Sequence, residues 1–177
     1  MASGNTWPDL IGHLVLLKQQ IDDLDPTGVR TYMLPRVAAT EERLRETEAL
    51  LGEPLDSGYR AFLGYADGWP EFSISVQLMG TADQLGAVRA TADNYLDVTL
   101  AAAATGWRRL ELAPVAVASD DKDVIAVGRP GTQVAGRIVW FAGEEVERYA
   151  NFKEWFEDEV ASHQRALDRL RTTRESR

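Results

Sequence analysis

Three aspartates in the second half of the chain have the residue type and the spacing for metal chemistry. Asp120, Asp121 and Asp123 lie between two short apolar runs, and carboxylates grouped in this way can bind a hard cation. Their spacing lacks the alternating acids, the glycine and the closing glutamate of an EF-hand loop. Aspartate also stabilises tight turns through hydrogen bonds to the nearby backbone. We therefore interpret the three aspartates as the tip of a β-hairpin and expect no bound metal.

Other catalytic chemistry has little support in the sequence. His13 and His163 are far apart, and neither has a cysteine or second histidine at metal-ligand spacing. The chain contains no cysteine, which excludes disulfides, thiolate metal sites and a cysteine nucleophile. Arg129-Pro130-Gly131 does not continue into the Gly-Lys-Ser/Thr of a phosphate loop, and no Gly-x-Ser-x-Gly elbow occurs. We expect a protein that is not an enzyme and that uses no cofactor.

A tryptophan between two acids is suited to binding rather than catalysis. Trp69 stands in the sequence Asp-Gly-Trp-Pro-Glu at residues 67–71, which predicts a loop. An exposed tryptophan flanked by carboxylates would anchor a basic protein partner. The same side chain could instead cover the hydrophobic core, and this is the interpretation that we favour. The candidate partner-binding residues from both loops are Asp67, Trp69, Glu71, Asp120, Asp121 and Asp123.

The net charge restricts the kinds of partner. At −9, with a pI of about 4.7, the chain repels nucleic-acid phosphates and anionic membranes and attracts a basic protein. A charge that serves only solubility is equally compatible with the composition. Acids are dense over residues 144–159, where the positive end of a helix dipole would stabilise them. The two aspartate-containing loops are therefore the better candidates for a binding surface.

Capping residues and apolar spacing predict five helices. They begin near Thr6, Thr40, Ser57, Thr81 and Asn151. The first helix has a leucine or isoleucine every three or four residues and should end near residues 25–28. Its apolar stripe could form a coiled-coil dimer or pack on the rest of the chain. Because it holds only about two heptads, packing on the chain is favoured.

Alternation and turn signals predict the strands. Residues 72–78 alternate strictly between apolar and polar, which predicts a single strand. Residues 114–118 and 124–127 should form the hairpin around the aspartates, and residues 136–141 a further strand ending in a turn at 142–144. We expect an α+β fold: a mostly antiparallel sheet of four to six strands with helices packed on one side, plus an added N-terminal helix. One core cluster should contain Tyr59, Phe62, Ile74, Val76, Val117, Val139, Phe152 and Trp155.

The order of these elements resembles the SUKH superfamily over roughly residues 34–167. The resemblance is carried by the helix capped at Thr40, the aromatic helix with Tyr59 and Phe62, the Asp67-Gly68 break, and the closing helix that begins Asn151-Phe152. Residues 97–111 form a longer segment than is usual there, and the N-terminal helix is additional. We expect residues 1–28 to form a helical extension and residues 29–177 the SUKH-like domain, within one compact unit.

The resemblance implies a non-enzymatic protein-binding domain. Bacterial members are immunity proteins that neutralise a toxin, often a nuclease or deaminase, by direct binding. Fungal relatives regulate cell-wall synthesis, which implies a scaffold or regulatory module as the alternative; a small enzyme with unrecognised residues is a third. The apolar runs are too short to span a bilayer and the first residues lack a signal-peptide pattern. We therefore expect a cytoplasmic monomer or dimer that binds a basic protein, with no membrane or nucleic-acid partner.

Overall fold

A computed structural model describes residues 5–25, 27–28, 32–102, 106–119 and 122–175. Within these residues it confirms the α+β class, with α-helices around a six-stranded sheet. The helices are α1 (Trp7–Leu24), α2 (Glu41–Leu51), α3 (Ser57–Leu63), α4 (Ala87–Ala102) and α5 (Phe152–Glu175). The strands are β1 (Trp69–Ser73), β2 (Val76–Leu78), β3 (Leu112–Ala118), β4 (Asp123–Gly128), β5 (Ile138–Ala142) and β6 (Glu145–Tyr149).

The strands form an antiparallel meander. Their order in the sheet is β1-β2-β3-β4-β5-β6, so every strand pairs with its neighbours in sequence. Short connections suffice for such a sheet, because antiparallel neighbours need no crossover helix. The long α4 segment enters between β2 and β3, which nevertheless remain adjacent. As a result β1 and β6 are the two edges of the sheet.

The predicted helix boundaries are largely confirmed where a local cap sets them. Thr6 begins α1 with a reciprocal capping box, in which its side chain accepts from the Asp9 N–H and its N–H donates to the Asp9 carboxylate. Thr40 caps α2 in the same position, and Gly52 ends that helix with a left-handed φ of 72°. Thr81 is not a cap, because a short 3₁₀ turn at Asp83–Leu85 precedes α4.

The prediction of one strand over residues 72–78 is wrong. The chain reverses there and forms the β1–β2 hairpin, with Ser73 paired to Val76 and a left-handed φ of 59° at Ser75. Ile74 lies in the turn and is 48% exposed, so it is not a core residue. Alternation alone missed this turn because Phe72 and Val76 remain buried on either side of it.

The sheet is covered on both faces, which corrects the expectation of helices on one side. Adjacent residues of a strand point to opposite faces. Ile125 of β4 belongs to a cluster with α1, α3 and α5, whereas its neighbour Val124 belongs to a second cluster with α4. Val117 and Val139 also belong to this second cluster, so the expected single core is in fact two. Tyr59, Phe62, Phe152 and Trp155 lie in the first cluster, as predicted.

The N-terminal helix is part of the main core. Its residues Leu10, Leu14, Leu17 and Ile21 are buried in the same cluster as the core of α3 and α5. Trp7 contributes an aromatic contact, with its ring centroid 5.6 Å from that of Phe62. The expectation that α1 packs on the rest of the chain is therefore confirmed.

Candidate functional site

The acid at the start of the 67–71 loop has a structural role. The Asp67 carboxylate accepts from the Thr81 N–H at 2.6 Å and from the Thr81 hydroxyl at 2.7 Å. These bonds hold two backbone segments together where Gly68 crosses Gly80. A Cβ on either glycine would overlap backbone atoms of the other segment, and Gly68 also has a left-handed φ of 83°. The Asp67 carboxylate is therefore used in hydrogen bonds that join the two segments.

Trp69 is not an exposed anchor, which corrects its assignment as a partner-binding residue. The indole is fully buried, its ring centroid is 5.7 Å from that of Phe72, and its N–H donates to the Met33 carbonyl at 2.7 Å. The burial follows from β1, because Trp69 pairs with Leu78 and faces the core. The core interpretation of this residue is the correct one.

Glu71 and Asp123 have similarly fixed surroundings. Glu71 has a left-handed φ of 48°, and its carbonyl accepts from the Lys18 ammonium at 2.5 Å. Asp123 begins β4, where its carboxylate accepts from the Trp140 indole N–H at 3.3 Å. Asp120 and Asp121 lie outside the described residues. Among the described candidates, Glu71 lies on β1 and Asp123 on β4, with two strands of the sheet between them, so these two acids are not neighbours.

The described residues contain no group of three or more histidine, aspartate or glutamate side chains placed to hold a metal. Asp123 is the one member of the aspartate trio among them. His163 is buried in α5, and its Nδ1 lies 2.8 Å from the Glu159 carbonyl one helical turn earlier. A helix-interior contact of this kind has a structural explanation and does not point to a ligand.

A buried polar cluster fills the space between α3, α4 and β3. The Tyr59 hydroxyl donates to the Met79 carbonyl at 2.6 Å, and the Gln84 side chain donates to the Tyr59 oxygen at 3.1 Å and to the Pro114 carbonyl at 2.9 Å. Burial raises the pKa of Tyr59 far above its ordinary value. The cavity beside it has a volume of only ≈ 20 Å³, room for about one water molecule. A cavity of this size does not fit an organic substrate.

One exposed apolar segment was missed in the sequence. Residues 32–37 run alongside the end of α3, since Val37 forms a β-bridge with Ala66 and the Arg36 N–H donates to the Gly68 carbonyl. Val37 is 90% exposed on this segment, and three further exposed apolar side chains lie on the same pair of segments. They are Met33, Leu34 and Tyr65. Exposed apolar side chains held on neighbouring segments are typical of protein-interaction surfaces.

Strand β6 was missed as well. Turn signals predict only a turn at 142–144, because Glu-Val-Glu-Arg-Tyr has no regular alternation of apolar and polar residues. The strand begins at Glu145, so several acids ascribed to the helix dipole lie ahead of α5 instead. We call β6, its turn and the first turns of α5 the acidic edge. Its exposed acids are Glu144, Glu147, Glu154 and Glu157.

Carboxylates on the inner side of the acidic edge perturb one another. The Tyr149 hydroxyl lies 2.9 Å from the Glu147 carboxylate and 3.2 Å from that of Asp158, and burial together with these two charges raises the pKa of Tyr149. Burial and the charge of Asp158 raise the pKa of Glu159 from 4.5 to about 7. A carboxyl with a raised pKa binds its proton more tightly in the folded state. Glu159 therefore contributes stability below about pH 4.5 that is lost as the pH rises through 7.

Comparison with known proteins supports the resemblance found in the sequence. The family model described as the SMI1 / KNR4 family (SUKH-1) matches residues 38–158. No curated protein matches the chain. None of the helices in the described residues has both the length and the apolar character needed to cross a membrane.

The matched region has a clear structural meaning. It begins just ahead of α2, contains the whole sheet, and ends within α5. The helices outside it are α1 and the distal part of α5, and these two pack together: the Arg171 guanidinium donates to the Gln20 side chain at 2.7 Å. Because the match covers more than half of the chain and contains the complete sheet, the protein belongs to the SMI1 / KNR4 family (SUKH-1).

Proposed function

We propose that this protein is a non-enzymatic, cytoplasmic immunity protein that neutralises a toxin domain by binding it directly. Membership of the SMI1 / KNR4 (SUKH-1) family is the observation that carries the proposal, since the bacterial SUKH proteins that the chain resembles act in this way. The toxin would be a basic protein such as a nuclease or a deaminase. One feature of the molecule supports a basic partner, and a second bears on whether the molecule is an enzyme.

The first feature is the charge. The chain has a net charge of −9, and four of its exposed acids lie at the acidic edge. Enzymes that act on nucleic acids present basic surfaces to the phosphates. An acidic protein approaches such a surface faster than a neutral one does and can block the cleft that the nucleic acid would use.

The second feature is the small size of the cavity beside Tyr59. This cavity has the volume of about one water molecule. Two arginines that line it are held by ion pairs, Arg89 with Asp93 and Arg129 with Glu53. The cavity beside Tyr59 therefore gives no support for catalysis on an organic substrate at that place.

The test is direct inhibition of a toxin encoded beside the gene. We expect the purified toxin to form a stoichiometric complex with this protein and to lose its activity on its substrate. Glu157→Lys should slow association at low salt, whereas Glu42→Lys, an equal charge change at an exposed glutamate on α2, should not. Absence of any complex at micromolar concentrations would contradict the proposal.

A scaffold or regulatory module is the second candidate, and the exposed apolar segment favours it. Met33, Leu34 and Val37 lie beside β1, at the opposite edge of the sheet from β6. A partner bound there would be held by apolar contact, with little dependence on salt. A partner whose affinity is unchanged by added salt and lost in Val37→Asp would therefore support this second candidate over the first.

A further inference from the structure

The two edges of the sheet differ in how their backbone is covered. At β1, Lys18 from α1 donates to the carbonyls of Glu71 and Phe72. Pro70 has no N–H to offer, and the left-handed backbone at Glu71 interrupts the regular strand. Such features prevent a further strand from adding to an edge. The edge at β1 is therefore closed.

The edge at β6 is open. The Ala142 N–H donates to the Glu144 carbonyl, so the backbone groups of Ala142 point towards β6. The backbone groups of Trp140, two residues earlier in β5, also point towards β6. Trp140 pairs with Glu147, so the backbone groups of Glu147 point towards β5. The N–H and C=O of the next residue, Arg148, consequently face outward. Within the part of the chain that the structure describes, no backbone hydrogen bond reaches the outer side of β6.

The side chains of β6 suit a basic strand. The one cation of the strand, Arg148, is neutralised by an ion pair with Glu145 and stacks on Trp107 at 4.9 Å from the ring centroid. Val146, which lies at the register shift of β6 between Glu145 and Glu147, is 48% exposed and offers an apolar contact. The remaining exposed charge of β6, on Glu147, is negative.

We propose that β6 is the docking strand of this protein, and that a basic extended segment of its protein partner adds to it as a further strand of the sheet. The proposal rests on the proposed function, for which it names the binding surface. Backbone hydrogen bonds to the outward groups of Arg148 would supply affinity, and opposition of lysine or arginine to Glu147 would select a basic segment.

A second copy of this chain is a poor occupant of the same edge. Antiparallel pairing of two β6 strands about a two-fold axis would centre on Val146, Glu147 or Arg148. In these registers Glu145 lies opposite Glu147 of the second copy, or Glu147 lies opposite its own counterpart, or Arg148 does. Like charges directly opposite each other destabilise a strand pair.

The experiment measures amide hydrogen exchange of the full chain by NMR with a soluble peptide of alternating lysine and threonine as the probe. We expect the peptide to slow exchange at Arg148 by at least about fivefold, because amides in a new ladder are protected. A glutamate–threonine peptide, and a lysine–threonine peptide interrupted by prolines, should leave exchange at Arg148 unchanged.

Two variants test the role of the edge. Arg148→Pro removes the outward N–H and should abolish peptide binding. Val146→Lys leaves the backbone unchanged, so the test remains valid even if the proline variant does not fold. The added positive charge on β6 should weaken binding of the lysine–threonine peptide by at least about tenfold. Val98→Lys on α4 is the matched control, since Val98 is also 48% exposed and the charge change is identical. This control should bind within about twofold of the wild type.

Several results would overturn the proposal. Each of three outcomes with the peptide would do so: it protects residues 32–37 instead of β6, it binds the two lysine variants equally well, or it fails to bind at millimolar concentration. Exchange at Arg148 that slows as the protein concentration rises, without peptide, would mean that a second copy of the chain occupies β6. A toxin that binds wild type and Val146→Lys equally well would show that the docking strand is wrong while the proposed function stands. A toxin that binds neither would contradict the proposed function itself.

Discussion

Truncation of Leu14 to alanine tests whether α1 is an integral part of the fold. Leu14 is fully buried and faces the core shared with α5. Leu16, two residues later in the same helix, is 55% exposed. The same Leu→Ala change at the two sites has the same effect on helix propensity, so the difference between them reports the packing of α1 alone.

The expected magnitude follows from the buried volume. Leu→Ala removes three carbons, which at about 0.8 kcal/mol each gives about 2.4 kcal/mol of lost transfer free energy. The cavity left at a site with no exposure adds to this, for a total of about 3–4 kcal/mol. Leu16→Ala removes mostly solvated atoms and should cost less than about 0.5 kcal/mol.

Urea unfolding followed by circular dichroism measures both changes. We expect Leu14→Ala to lower the midpoint with little change in the slope of the transition, since the surface exposed on unfolding is nearly the same. Equal midpoints for the two variants would refute the argument. That result would mean that α1 is a detachable extension whose apolar stripe serves another purpose, such as dimerisation.

Three further predictions concern charge and close packing. In urea unfolding, the wild type should lose up to about 3 kcal/mol of stability between about pH 5 and about pH 8, because burial penalises only the ionised carboxyl of Glu159. Glu159→Gln should not show this loss. An unchanged pH dependence in the variant would contradict this. Gly80→Ala should destabilise by at least about 2 kcal/mol through backbone overlap, whereas Gly12→Ala, with open space around it in α1, should stabilise by about 0.5–1 kcal/mol in the same melting experiment. Asp120→Lys with Asp121→Lys should leave the melting temperature nearly unchanged and slow association with a basic toxin at low salt; an unchanged association rate would show that these aspartates only form a turn.

Local signals in the sequence determined the helices that begin with a cap. The hydroxyl of Thr6, the hydroxyl of Thr40 and the amide of Asn151 each satisfy a backbone N–H three residues ahead. The β3–β4 hairpin was predictable for the same kind of reason, because two apolar runs are joined by a short polar turn. Each of these interactions spans a few residues, so a short window of sequence contains both partners.

The sequence patterns did not identify β6 as a strand, and they did not identify it as a candidate binding surface. Glu145–Tyr149 is charged on both faces, and apolar patterning finds only strands with a buried face. The same limit explains the placement of Ile74, which has the spacing of a core residue but lies in a turn set by the backbone at Ser75. Patterning reports which side chains avoid water and gives no information on where a chain reverses.

Amino-acid sequence alone thus determined the composition, the acidic charge, the capped helices and the order of elements that identifies the family. Tertiary structure decided the burial of Trp69, the division of the core between two faces of the sheet, and the packing of α1 on the end of α5. It also decided that β1 is closed by Lys18 while β6 is open. The physical reason is range: caps and turns join neighbours in the chain, whereas a buried face or a covered edge depends on residues far apart in sequence that meet only after folding.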